Sequence, residues 1–190
     1  GVDTAIVCTF TNTFQNFTVS GKVFLDTGAG SGTPHNGVQD GGEAGLSLIN
    51  MRLSNCGATV YATTSTDGSG NYSFTIPGAL SAGATVCVEE LPNPLYPSVT
   101  GSAGTTGGSY SLAQDRTSFT LAAATSYTGV NFGDVKESIL NGQGAQSTAP
   151  GTTVQYAHLF TAGTAGAVTF SAAQSPTPAL AGWTSVIYLD

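Results

Sequence analysis

Side chains that offer oxygen ligands are concentrated in one short stretch of a chain that has few charges. Asn36, Asp40 and Glu43 stand at positions 5, 9 and 12 of the spacing that EF-hand-type loops use. Gly37 occupies the sharp-turn position 6, and Val38 occupies position 7, which contributes a backbone carbonyl. Calcium takes roughly six to eight oxygen ligands, which a short and tightly turned loop can bring together. The spacing therefore predicts a Ca²⁺ site.

The first half of this candidate loop departs from the pattern. Positions 1 and 3 fall on Gly32 and Pro34, which offer no side-chain oxygen. Asp26 follows the strand-like run 23–25 and could supply the missing carboxylate if residues 27–35 loop out. An acidic, Gly-rich turn that binds nothing is the alternative. Three carboxylates in one connection of a chain with only 8% charged residues favour calcium.

Composition limits the partners of the chain. Its 190 residues carry 4 Lys and Arg against 11 Asp and Glu, so the formal net charge is -7. Such a surface cannot neutralise phosphates, which argues against nucleic acid and anionic membranes. Hydrophobic residues make up 40%, too many for a disordered chain. No window approaches the roughly 20 apolar residues of a membrane helix, so no membrane insertion is expected in this segment. Because so few residues are charged, the chain must owe its solubility to Ser, Thr, Asn and Gly. This composition is more typical of an extracellular protein than of a cytoplasmic one.

The cysteines indicate an oxidising compartment. Cys56 and Cys87 border strand-like runs, and we expect a disulfide between them, with free buried thiols as the alternative. Cys8 is then left without a partner, or is bridged to another chain. No C-x-x-C pair is present, which argues against zinc.

Catalysis is not expected. His35 and His158 are the only imidazoles, and no Ser or Asp stands in a recognisable relation to either. Asp115 and Asp134 could pair as glycosidase carboxylates, but nothing in the sequence brings them together, and Asp115 is expected in an exposed turn. The chain is therefore predicted not to be an enzyme.

Alternation with a period of two predicts an all-β fold. Ile49, Met51 and Leu53 alternate with polar residues, and so do Tyr72 and Phe74 after a Gly-rich turn. A meander of short strands with such turns is typical of a β-sandwich. We expect an additional strand in residues 1–15, a sandwich in 16–135 and a second, partial β-domain in 136–190. The lone strand is expected at 5–11, the linker at 142–151, and strands of the tail at 153–160, 167–172 and 183–189.

Five segments carry a family resemblance. They are residues 20–26 (SGKVFLD), 36–46 (NGVQDGGEAGL), 66–74 (TDGSGNYSF), 88–92 (VEELP) and 131–134 (NFGD). Their order and spacing resemble an Sdr-type B repeat of bacterial surface adhesins over about residues 17–135. The flanks resemble pieces of other bacterial surface-repeat domains.

The resemblance implies a calcium-binding, immunoglobulin-like or prealbumin-like β-sandwich on the bacterial cell surface. Carried across, the metal ligands fall on Asp26, Asn36, Val38, Asp40 and Glu43. A relative of the same broad class forms Lys–Asn isopeptide bonds beside a buried acid. The residues that could imitate that trio are Lys22, Asn131 and either Glu89 or Glu90. Lys22 is out of phase with Val23 on its strand, which favours solvent and argues against the crosslink.

Two functions remain open. The first is a non-catalytic structural module of an adhesin stalk or extracellular filament, rigidified by calcium. The second is a module that binds glycan or peptide on an aromatic platform, for which the candidates are Tyr61, Tyr72, Tyr96 and Tyr110. The expected partners are neighbouring domains or subunits of the same protein. Residues 5–11 could complete the tail of a neighbouring subunit head to tail, or both ends could be truncations of longer domains.

Overall fold

The regular secondary structure of the described residues is almost entirely β-strand, as the alternation predicts. The computed structural model describes residues 17–142, 146–149, 151–172, 182 and 184–188. The strands are β1 (Thr18–Leu25), β2 (Asn50–Ser54), β3 (Val60–Ser65), β4 (Asn71–Thr75), β5 (Thr85–Glu90), β6 (Ser98–Ala103), β7 (Ser109–Ser111), β8 (Arg116–Thr120), β9 (Val130–Asp134), β10 (Ile139–Asn141) and β11 (Leu159–Thr161). The helical residues described are two 3-10 turns of one turn each, Gly104–Thr106 and Leu112–Gln114.

Strands β1 to β9 build two sheets that pack face to face. One sheet has the order β4-β1-β9-β6 and the other has the order β3-β2-β5-β8-β7. The first half of β1 runs antiparallel to β4, whereas its second half runs parallel to β9, with Val23 opposite Phe132. The parallel pairing brings the carboxyl ends of β1 and β9 to the same end of the sandwich. Residues that follow both strands therefore meet there.

Alternation in the strands fills the space between the sheets. Tyr72 and Phe74 are buried while Asn71, Ser73 and Thr75 are exposed. In the opposite sheet, Met51 and Leu53 of β2 join the same core. The members of the core are Val19, Val23, Leu46, Ile49, Met51, Leu53, Tyr72, Phe74, Val86, Val88, Phe119, Leu121, Tyr127, Val130 and Phe132. The two sheets thus share one hydrophobic core, which confirms the predicted β-sandwich.

A disulfide joins neighbouring strands of the five-stranded sheet. Ser54 of β2 lies opposite Cys87 of β5, and Cys56 follows two residues later. Cys56 and Cys87 are bonded, with their Cα atoms 4.9 Å apart and 31 positions apart in sequence. Closing a loop of this length contributes about 4 kcal/mol in the chain-entropy model. The predicted pairing is confirmed.

The tail differs from its prediction. Residue Ile139 of β10 pairs with Thr161 of β11 in a two-stranded antiparallel sheet. Apart from β11, the described residues of the predicted strands at 153–160, 167–172 and 183–189 do not form strands. The prediction of three strands in this part of the tail is therefore wrong. Apolar alternation makes a strand only where a neighbouring strand takes its backbone hydrogen bonds. The predicted strand at 5–11 and Cys8 lie outside the described residues.

Candidate functional site

Asp26 directly follows the carboxyl end of β1 and is the first residue of the predicted calcium loop. Its backbone N–H donates to the Asp134 carbonyl at the end of β9 (2.8 Å), and its side chain is completely buried. Gly133 makes room for that side chain, since a Cβ at Gly133 would lie 2.9 Å from Asp26 Oδ2. The parallel pairing of β1 and β9 therefore fixes this carboxylate below the surface.

The insert after Asp26 loops out and returns to it. The backbone N–H of Gly37 donates to Asp26 Oδ2 (2.8 Å), and the N–H of Asn36 donates to Asp26 Oδ1 (3.3 Å). Gly37 has φ 73°, the left-handed conformation that a residue without Cβ adopts easily. Asp26 thus lies beneath the turn that the sequence aligns with loop positions 5 and 6. We call residues 26–43 the acidic loop.

Asp40 and Glu43 tie the two halves of the acidic loop together. Asp40 Oδ1 accepts from the N–H of Thr33 (3.0 Å), and Asp40 Oδ2 accepts from the side-chain amide of Asn36 (3.0 Å). Glu43 is nearly buried, and its Oε1 and Oε2 accept from the N–H groups of Gly28 (2.8 Å) and Asp40 (3.1 Å). Each carboxylate therefore orders backbone from another part of the loop.

The donor set of the acidic loop fits a hard cation. The side-chain ligands that the sequence predicts offer oxygen, and a carboxylate has about four lone-pair positions, of which the hydrogen bonds above use two. Asn36 Oδ1 accepts from the N–H of Val38 (2.7 Å), whose own side chain is exposed. Among the described residues, however, no three His, Cys, Asp or Glu side chains are arranged as a group that could hold a metal ion. The loop gathers Asp26, Asp40 and Glu43 without converging them on one point.

A second acidic group lies at the end of the core, where the structure brings together Asp134 and Asp115, which nothing in the sequence linked, and adds Glu90, whose part in it the sequence did not indicate. Glu90 of β5 and Asp134 of β9 are 3% and 0% exposed. Three of their oxygens are buried without a hydrogen-bond donor among the described residues when both carboxyls are ionised: Glu90 Oε2 and both Oδ atoms of Asp134. The ion pair that the described residues form joins Arg52 to Glu89 on the other face of β5. Among the residues that the structure describes, no basic side chain is paired with Glu90 or Asp134 to offset their charge.

Asp115 completes this group from the turn before β8. Its Oδ2 accepts from the Ser98 hydroxyl (2.6 Å) and its Oδ1 accepts from the Tyr110 hydroxyl (2.7 Å). Asp115 has φ 45°, and its carbonyl accepts from the N–H of Glu90 (3.1 Å). The expectation of an exposed turn is wrong, because the left-handed backbone turns this carboxylate toward the strand ends.

Burial controls the protonation of the acidic group. Desolvation, followed by the negative charges of Asp134 and Asp115, raises the pKa of Glu90 to about 10. Desolvation also raises the pKa of Asp134 to about 7, while a hydrogen bond with Glu90 acts in the opposite direction. At neutral pH Glu90 is therefore protonated and donates to the carboxylate of Asp134. That proton supplies a donor for one Asp134 oxygen, and both carboxyl groups lie out of contact with solvent.

The four candidate platform tyrosines do not form an exposed surface. Tyr72 is buried, and its hydroxyl donates to the Val130 carbonyl (2.6 Å). Tyr110 packs edge-on against Phe132, with ring centroids 5.8 Å apart. Tyr61 and Tyr96 are partly buried and pack against the core. These four rings thus pack within the sandwich and do not form the exposed platform that glycan or peptide binding would need.

The candidate isopeptide trio is not assembled either. Lys22 Nζ donates to Gln39 Oε1 (2.8 Å), and Asn131 Oδ1 accepts from the backbone N–H of Lys22 (3.1 Å). Glu89 is bound to Arg52 and Glu90 to Asp134. The amine, the amide and an acid thus have separate partners.

The fold and these groups define an immunoglobulin-like β-sandwich module with an acidic loop at one end. The family model of the SdrD B-like domain matches residues 23–133, well over half of the chain. The chain therefore belongs to the SdrD B-like domain family, as its resemblance to an Sdr-type B repeat predicts. Among curated proteins, none matches the chain.

Membership of the SdrD B-like family indicates what kind of protein the chain comes from. The SdrD B-like family comprises structural repeats of bacterial surface adhesins and is not an enzyme family. Such repeats are attached to neighbouring domains of a surface protein, which indicates an extracellular location. None of the helices in the described residues has the length and apolarity needed to cross a membrane.

Proposed function

We propose that the chain is a non-catalytic stalk module of a bacterial surface protein, and that Ca²⁺ bound by the acidic loop makes it rigid. The observation that carries the proposal is the fully buried carboxylate of Asp26 beneath the turn at Asn36 and Gly37. Asp40 and Glu43 bring two further carboxylates to the same loop. Asn36 would add its side-chain oxygen, and Val38 would add its carbonyl.

Charge supports a cation at this place. Three carboxylates lie between residues 26 and 43, and the nearby ammonium of Lys22 bonds to Gln39 rather than to any of them. Like charges in a partly buried loop repel one another, and a divalent ion would remove most of that repulsion. Bound calcium would supply the charge that the loop lacks.

The position of the loop explains how a cation could make the module rigid. The loop begins at the end of β1 and is bonded through Asp26 to the end of β9. Gly37 packs on β6, since a Cβ at Gly37 would lie 3.2 Å from the carbonyl oxygen of Gly101. Ordering the loop would thus hold together three adjacent strands, at the end of the sandwich where the chain continues to residue 136. A stalk needs this end to be stiff if it is to keep successive domains in line.

Thermal unfolding with and without calcium tests the proposal. At free calcium 100-fold above the dissociation constant, binding to the folded state adds about 2.7 kcal/mol. The melting temperature of the chain should therefore rise by several degrees on adding calcium and fall on adding a chelator. Asp40→Asn keeps the size of the side chain and removes one charge, so it should remove most of this calcium-dependent difference.

Asp67→Asn is the matched control. Asp67 lies outside residues 26–43, in the exposed turn before β4, and accepts from the N–H groups of Ser69 and Asn71. Its replacement should lower the melting temperature equally with and without calcium. A wild-type melting temperature that is the same in saturating calcium and in chelator, with no binding heat by calorimetry, would contradict the proposal.

Assembly with a neighbouring domain or subunit is the second part of the proposal. The tail exposes apolar side chains, with Ile139, Leu140 and Leu159 at 48%, 56% and 65%. A two-stranded sheet is marginal alone and gains stability when a further strand covers it. We propose head-to-tail complementation, with residues 5–11 of one copy adding to the tail of the next. Light scattering should show mass growing with concentration, and a chain lacking residues 1–15 should be monomeric. A monomer at every concentration, with and without that segment, rules the exchange out.

A further inference from the structure

The acidic loop touches the tail of the chain. His35 Nε2 and Thr164 Oγ1 share a hydrogen bond of 3.1 Å, although the two residues are 129 positions apart. His35 precedes Asn36, has φ 59°, and donates its backbone N–H to the carbonyl of Asp26 (3.4 Å). The residue that meets the tail is therefore held by the same aspartate that organises the loop.

A second contact seats the same part of the tail. The N–H of Gly163 donates to the hydroxyl of Ser138 (3.1 Å). Gly163 lies directly on the chain that leaves the sandwich, and a Cβ at this position would overlap the carbonyl oxygen of Lys136. Only glycine allows this approach. Residues 163–164 are thus held between the acidic loop and residues 136–138.

The hairpin gives the contact its place in the chain. Thr161 of β11 pairs with Ile139 of β10, so the residues after β11 turn back toward the end of the sandwich. Gly163 and Thr164 follow directly and are half-buried. The acidic loop and the tail therefore meet at one small surface, which is formed by His35 and residues 136–138.

We infer that this surface is a docking site for residues 163–164, and that docking of the tail and order in the acidic loop stabilise each other. Two sites that share one contact are linked, and the linkage acts equally in both directions. A change in the tail, far from the loop in sequence, must then loosen the loop. If calcium binds the ordered loop, as proposed above, the same change must weaken calcium binding.

Substitutions in the tail of the full chain test this inference without altering any predicted ligand. Thr164→Val keeps the shape of the side chain and removes the hydroxyl that His35 bonds. Gly163→Ala places a Cβ against the Lys136 carbonyl and should displace the tail. Gly166→Ala is the matched control, because nothing lies within 4 Å of a Cβ at that position.

Hydrogen exchange is the first measurement, made on chain without metal. The N–H groups of Asn36 and Gly37 report loop order, because both donate to Asp26. They should exchange about three to ten times faster in Thr164→Val and Gly163→Ala, as expected for the loss of one partly exposed hydrogen bond. They should keep the wild-type rate in Gly166→Ala. Equal rates in all four proteins would overturn the inference.

Calcium titration is the second measurement and separates the two proposals. The dissociation constant should rise about three- to tenfold in Thr164→Val and Gly163→Ala and stay unchanged in Gly166→Ala. Wild-type affinity in all variants overturns the inference and leaves the calcium proposal standing. A wild-type chain that binds no calcium contradicts the proposed function, and the exchange rates then decide the inference alone.

Discussion

Replacing Glu90 by Gln should make the module more stable at neutral and alkaline pH. Glu90 is buried beside Asp134, and burial raises its pKa to about 10, so the folded chain must keep it protonated. An unfolded chain ionises the same group near pH 4.5. Gln preserves the shape and the hydrogen-bond donor, and it needs no proton. The substitution therefore removes a protonation cost while keeping the contact with Asp134.

The sign and size of the effect follow from proton linkage. Between pH 4.5 and about 10 the folded chain holds one proton on Glu90 that the unfolded chain has lost. The stability due to neutral Glu90 is fully present below pH 4.5 and falls by about 1.4 kcal/mol per pH unit as pH rises through this window. Asp134, whose pKa is raised to about 7, adds to the slope mainly below that pH. Between pH 7.5 and 9 the wild type should thus lose about 2 kcal/mol through Glu90.

Urea unfolding at half-unit steps from pH 7.5 to 9, followed by circular dichroism, measures this slope. Glu90→Gln should be more stable than the wild type by a few kcal/mol at pH 7.5, and its slope should be smaller by about one proton. Glu89→Gln is the matched control, since it loses the ion pair with Arg52 and keeps Glu90. It should be less stable and retain the slope. A Glu90→Gln protein with the wild-type slope would refute a protonated Glu90.

Three further predictions concern other parts of the sandwich. With Cys56 bonded to Cys87, mass labelling of denatured, unreduced protein should find at most the thiol of Cys8; three labelled thiols would contradict an oxidising compartment. Reduction should lower the free energy of unfolding by about 4 kcal/mol in the chain-entropy model. Gly133→Ala should destabilise the module by about 1–3 kcal/mol, because its Cβ would crowd the buried side chain of Asp26. Gly68→Ala, with open space around its Cβ, should change unfolding little; equal effects of the two would count against tight packing at Asp26.

The sequence by itself predicted the fold class, favoured the Cys56–Cys87 disulfide over free thiols and located the residues of the candidate site. In segments such as Asn71–Thr75 the apolar residues are two apart, and residues two apart share a face only in an extended strand. The loop spacing from Asn36 to Glu43 is local, so it can be read without knowing what lies nearby. Alternation could also have indicated that two acidic side chains face the core. Glu90 shares a face of β5 with Val86 and Val88. Asp134 shares a face of β9 with Val130 and Phe132.

Only the tertiary structure decided which distant groups meet. The parallel pairing of β1 with β9 brings Asp26 to Asp134. The face-to-face packing of the two sheets brings Glu90 and Asp115 to the same end of the core. In the tail, strand formation at Leu159–Thr161 depended on a partner strand at Ile139–Asn141, so apolar alternation alone overestimated it. Local patterns fix what each segment can bury and bind. Pairing and burial between segments far apart in sequence set whether a carboxyl is ionised, paired or exposed, and these depend on the whole chain.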